Sequence, residues 1–181
     1  MTGAADPIRF QATLLRPAMP PDASWCFLLL PAAASAALPT RGLASVEGRF
    51  AGHPFQATLQ PDGQGGHWLQ AEEAMRAAAA VEVGTTMTLE IAPAAVEPEP
   101  VLPDDLARVL AAHPPARAAW DTLTTVARRD WIFWIGAGKQ AQTRVKRIVS
   151  TCDMLAAGKR RVCCFDRSGM YSKAFAAPQA Q

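Results

Sequence analysis

Along the first half of the chain, apolar and polar residues alternate with period two. In IRFQATLL, Ile8, Phe10, Ala12 and Leu14 alternate with Arg9, Gln11 and Thr13, the pattern of a strand buried on one face. SWCFLLL, residues 24–30, is continuously apolar, as a strand covered on both faces would be. SVEGRFAG and PFQATLQ alternate again, and Gly52-His53-Pro54 between them reads as the turn of a hairpin. PDGQGG (61–66) supplies a second turn and HWLQ a further strand. AEEAMRAAAA has good helix formers and two acids in its first turn, where the helix dipole favours them. TTMTLEIA, with Met87, Leu89 and Ile91 on one face, adds a last strand. Many short strands separated by turns predict a sandwich or barrel.

The period then changes. AVEPEPVLP marks the boundary, with four prolines between 93 and 103, which suits an extended linker. PDDLARVLAAH opens on Pro103 and two aspartates and stops at a His-Pro-Pro run, the punctuation of a helix. PARAAWDTL and VARRDWIFWI read as further helices, with WIFWI as core. KQAQTRVKRIVSTCDMLAAGK aligns Ala141, Val145, Ile148, Val149, Cys152 and Leu155 on one stripe that must be covered, and Gly158 with Lys159 ends it. Two domains are expected: 1–95, built of strands, and 96–181, basic and helical. AFAAPQAQ at the end reads as a frayed tail.

Charge sharpens that division. The net charge of +2 conceals five arginines against ten acids in residues 1–100, a net of −5, and thirteen Lys and Arg against six acids in 101–181, a net of +7. An acidic front half clamped by cationic helices is the simplest arrangement, with recognition expected near their seam. Half of the residues are hydrophobic, enough for a real core, although alanine inflates the figure. No apolar run reaches the roughly 18 residues needed to span a bilayer, and MTGAADP lacks the features of an export signal. Cys26, Cys152, Cys163 and Cys164 have no disulfide-framework spacing and read as thiols of a cytoplasmic protein.

Two stretches carry a family resemblance. VEGRFAGHPFQATLQPDGQGGHWLQ resembles the hairpin of a bacterial domain-of-unknown-function family that forms a small closed β-barrel. AGKQAQTRVKRIVSTCDMLAAGKRR is similar to the helical tail of the YdeI/OmpD-associated, bacteriocin-protection family, through Lys139, Thr143 and Arg144. Gln142 departs from that family's pattern, which has an acid there. The resemblance covers nearly all of 1–160 and implies an α+β fold: a small closed antiparallel β-barrel followed by a C-terminal helical segment packed on it.

No catalytic or metal-binding spacing is present. His53, His67 and His113 form neither an i, i+4 pair nor part of a Cys-x-x-Cys site, and adjacent Glu72 and Glu73 diverge by about 100° on a helix. The glycines of PDGQGG lead into a strand with no Lys-Ser/Thr, so they make a turn rather than a phosphate cradle. No cofactor is expected. His67, Trp68 and Arg76 sit beside that turn and form a candidate rim site for a small anionic ligand or peptide. The plainer alternative is that His67 and Arg76 hydrogen-bond carbonyls and anchor the helix. Lys139, Arg144, Lys146 and Arg147 form a candidate partner or nucleic-acid surface. The expected function is a non-catalytic binding module. The alternatives are a nucleic-acid-associated accessory protein using the basic helix, or a small enzyme using His67 or a thiol of the Cys163-Cys164 pair.

Overall fold

The computed structural model describes residues 6–138, 140–162 and 175–181. Six strands form one antiparallel sheet: β1 (Ile8–Thr13), β2 (Cys26–Leu29), β3 (Ala44–Phe50), β4 (His53–Pro61), β5 (His67–Ala71) and β6 (Thr86–Pro93). Their order across the sheet is β1-β6-β3-β4-β5-β2. The sheet is curled and barrel-like. Its edge strands meet where Leu15 and Phe27 exchange backbone hydrogen bonds of 2.7 and 2.9 Å.

The alternation read from sequence is the alternation of the core. Phe10, Ala12 and Leu14, then Val46 and Phe50, Leu59, Leu69 and Ala71, and Met87, Leu89 and Ile91 all face the interior. Each large side chain buried this way contributes about 1.5–3 kcal/mol. β2 is covered on both faces only as far as Leu28: Phe27 packs edge-on against Trp68 with ring centroids 6.3 Å apart and Leu28 lies in the interior, whereas Leu29 is 46% exposed.

Gly48 lets β3 and β6 approach closely, because a Cβ there would run into the Glu90 carbonyl oxygen. The β3–β4 turn differs from the expected Gly52-His53-Pro54. Phe50 pairs with His53, so the loop is only Ala51-Gly52, with φ of 47° and 86°. Two left-handed residues match the twist of a tight hairpin, and His53 and Pro54 therefore belong to β4.

A short helix, α1 (Ala32–Ala36), was hidden in the alanine-rich stretch; its Ala34, with Leu38 just beyond it, joins the barrel core. α2 (Glu73–Ala79) links β5 to β6. The tail does not fray. Ala18 and Gln181 donate backbone N–H groups to Gln179 and Arg16, and Phe175 is buried.

Beyond Val96 a second compact unit begins. It contains α3 (Asp104–Ala112), α4 (Pro114–Asp121), α5 (Thr125–Gly136) and α6 (Ala141–Ala156) around a core of its own, centred on Leu106, Leu110, Trp131, Ile135 and Leu155. WIFWI is partly in that core: Trp131 and Ile135 are fully buried, and Trp134 packs edge-on to Trp131 at 6.1 Å. The α6 stripe is rotated from the expected one. Ile148, Thr151, Cys152 and Leu155 are buried, whereas Val145 and Val149 are 60% and 50% exposed. No helix of the described residues is long and apolar enough to cross a membrane.

Candidate functional site

The rim residues nominated from sequence are occupied with structure. His67 is the first residue of β5 and shares the inward-facing register of Leu69 and Ala71. It is almost wholly buried. Its backbone N–H donates to Ser35 Oγ at 3.1 Å, and its Nε2 lies 2.9 Å from the Gly42 carbonyl oxygen. A carbonyl only accepts, so Nε2 carries the proton, and Nδ1 is left buried without a partner. Burial pushes the His67 pKa down and keeps the ring neutral, against the smaller upward pull of the Gly42 bond.

Trp68 is buried between Trp25 and Phe27. Arg76 on α2 donates Nη2–H to the Ser24 carbonyl at 2.8 Å, tying its helix to the segment before β2. These are the contacts of anchoring residues. The adjoining PDGQGG turn is self-contained: Asp62 Oδ1 accepts from the N–H groups of Gln64 and Gly66, both at 2.8 Å, and Arg41 donates to the Gly65 carbonyl at 2.9 Å. Gly63 and Gly65 take the positive φ that a side chain would resist.

The basic helix is engaged in a similar way. Arg144 makes a two-pronged bond to Asp105 of α3, Nε to Oδ2 at 2.7 Å and Nη2 to Oδ1 at 3.0 Å. That hydrogen bond holds the Asp105 carboxyl below the usual carboxylate range and raises the Arg144 pKa. Arg147 lies over the Trp134 ring, 5.1 Å from its centroid, and donates to the Trp134 carbonyl at 2.5 Å. Lys146 projects outward from the exposed face. Lys139, Cys163 and Cys164 lie outside the described residues.

The other two thiols offer no nucleophile. Cys26 and Cys152 are buried, and burial pushes the Cys152 pKa up. Among the described residues, no cluster of three His, Cys, Asp or Glu side chains could hold a metal.

A site that the residue pattern did not announce lies in the helical unit. A cavity of about 270 Å³ is lined by Thr124, Val126, Ala127, Asp130, Arg161 and Val162. Local chemistry fixes each wall. Thr124 caps α5, its hydroxyl accepting from the Ala127 N–H at 3.2 Å. After α6, Gly158 turns the chain with φ of 86°, and the Lys159 N–H returns to the Met154 carbonyl at 2.9 Å. Trp131 Nε1 then donates to the Arg160 carbonyl at 3.4 Å, Arg160 bonds the Thr122 hydroxyl, and Val162 is buried in the helical core. Arg161 is thereby brought to the first turns of α5.

Asp130 sits in a row of alternating charge. Arg129 Nη1 reaches Glu97 Oε1 at 2.8 Å, while its Nε and Nη2 both donate to Asp130 Oδ1, at 3.1 and 3.0 Å. These three side chains are only 15–21% exposed. Burial raises the Asp130 pKa despite Arg129 beside it. A second cavity, about 300 Å³ on the barrel, is an open groove along Glu47, Gly48, Arg49 and Glu90, with the Arg9–Glu90 pair (3.5 Å) at hand.

The helical site was missed because its parts, Arg-Arg-Asp at 128–130 and Lys-Arg-Arg at 159–161, look in sequence like solvated charge. Only the packing of α5 against the chain after α6 makes them neighbours. No curated protein matches the chain. Two family models do. One is a domain of unknown function, DUF1905, matching residues 10–91; the other is OmdA, described as bacteriocin-protection, YdeI or OmpD-associated, matching residues 99–158. The barrel-like sheet and the helical unit coincide with these spans, so the chain is a DUF1905 domain followed by an OmdA bacteriocin-protection domain.

Proposed function

We propose that the protein is a non-catalytic binding module whose ligand site is the cavity of the helical unit. One observation carries this reading: Asp130 and Arg161, of opposite charge, line the same partly enclosed space. Concave sites with a few convergent polar groups on apolar walls are the usual form of a small-molecule site. Among the described residues, His67, Cys26 and Cys152, groups that catalysis could recruit, are buried in packing, which favours the same reading. Arg144 and Arg147 are held by Asp105 and Trp134, which weighs against a phosphate-tracking role for α6. The family description, bacteriocin-protection, fits an action through binding better than one through proteolysis.

The test is a thermal-shift screen of a broad metabolite collection against wild type, Asp130→Asn and Arg161→Gln. Asn keeps an acceptor for Arg129, and Arg161 is exposed, so both variants should fold. At least one compound is expected to raise the melting temperature of the wild type and to lose that effect in both variants. If no compound shifts the wild type, or if the variants respond like wild type, the cavity is not the site.

A further inference from the structure

The charges lining the cavity narrow the chemistry of what it accepts. Asp130 has two carboxylate oxygens with unequal duties. Oδ1 receives both hydrogen bonds from Arg129, and Oδ2 receives none from any described residue. The Asp130 side chain is 21% exposed, so it is not sealed from solvent. Oδ2 is an open acceptor on a residue that lines the cavity. Arg161, on the same cavity, makes no hydrogen bond to a described side chain or carbonyl, and its charge is felt at Asp130. Val126, Ala127 and Val162 supply the apolar wall.

A purely anionic guest would gain from Arg161 but be repelled by Asp130. A purely cationic one would meet the reverse. Such like-charge contacts discriminate as strongly as attractive ones. Neutral apolar guests would strip water from both charges and return no hydrogen bond, which is costly. A guest with both signs satisfies each group at once. The volume, near the lower end of the range of about 300–1,000 Å³ typical of ligand clefts, limits it to a small molecule.

Resting on the reading of this cavity as the ligand site, we propose that it takes a small amphoteric molecule. Such a molecule carries an ammonium or similar cation for Asp130 Oδ2 and a carboxylate or similar anion for Arg161, as a free amino acid does. The short apolar frame between the two charges lies on Val126, Ala127 and Val162.

Three probe pools separate the possibilities: free L-amino acids, the same amino acids N-acetylated so that only the anion remains, and their amides, which keep only the cation. Each is titrated into the full chain by calorimetry, with Lys146→Ala as a remote control. Binding is expected for at least one member of the free pool. It should weaken at least tenfold on acetylation or amidation of that member, and likewise in Asp130→Asn or Arg161→Gln, but not in Lys146→Ala. Binding of an acetylated or amidated member as tight as that of its parent would overturn the amphoteric class while leaving the cavity as a site. Failure of all three pools, where the metabolite screen does find a ligand lost in both variants, would overturn the class alone. Failure of the pools and the screen together would remove the cavity reading as well.

Discussion

His67 has a neutral ring held by one hydrogen bond to Gly42, with Nδ1 facing a place that offers no acceptor. Protonation would put a charge and an unpaired N–H there. The unfolded chain has no such obstacle and binds the proton near the ordinary pKa of about 6.5. The folded value lies below that, so at pH below about 6.5 the unfolded state holds more protons and stability falls as pH falls. Above that range the linkage contributes nothing. His67→Gln keeps an amide N–H able to reach Gly42 and has no proton to take up. The denaturation midpoint of the wild type should therefore drop more steeply than that of the variant between pH 7.5 and 5, and parallel curves would contradict the assignment. His67, nominated from its neighbours in sequence, illustrates what a residue pattern omits. The period-two register of β5 turns it inward with Leu69 and Ala71, and inwardness there means burial rather than access.

At the scale of elements, α6 separates two stripes that look equally good on paper. Val145 and Val149 satisfy the helical period, but α3, α4 and α5 cover the neighbouring stripe of Ile148, Thr151, Cys152 and Leu155. The Arg144–Asp105 pair, which joins α6 to α3, goes with this rotation. Leu155→Ala and Ile148→Ala are expected to cost about 2–5 kcal/mol each, whereas Val149→Ser should change stability by no more than about 0.5 kcal/mol. Chemical denaturation of the three variants measures the contrast; a Val149→Ser cost as large as that of Leu155→Ala would mean that the exposed stripe is covered. The strands, the helix starts at Pro103 and the stop at Gly158 were legible because backbone chemistry and period speak locally. α1 was not, since five residues of alanine and serine carry no period to read. Its place depends on Ser35 meeting the His67 N–H across 32 positions of sequence.

For the whole molecule, chain order and structural units do not run in parallel. The C-terminal residues pair with Arg16–Ala18 and belong with the sheet, while α3 to α6 close their own core. Removing residues 175–181 exposes the surface that Phe175 covers and frees the β-bridge between Pro17 and Ala180. Hydrogen exchange should quicken in β1 and the segment after it, with amides of α3 to α6 unchanged. Faster exchange throughout, or none, would mean that the tail is not an integral part of the first unit.

The sequence alone determined the elements and their class, an acidic stretch of alternating strands and then basic helices, because side-chain period and turn chemistry act over a few residues. Tertiary structure alone decided what the charged and titratable groups do. Whether a histidine is a ligand or a filled core position, whether an arginine is spent on an aspartate, and whether Asp130 and Arg161 meet at one cavity all depend on contacts between distant segments. Those contacts set desolvation and pairing, which no local pattern encodes.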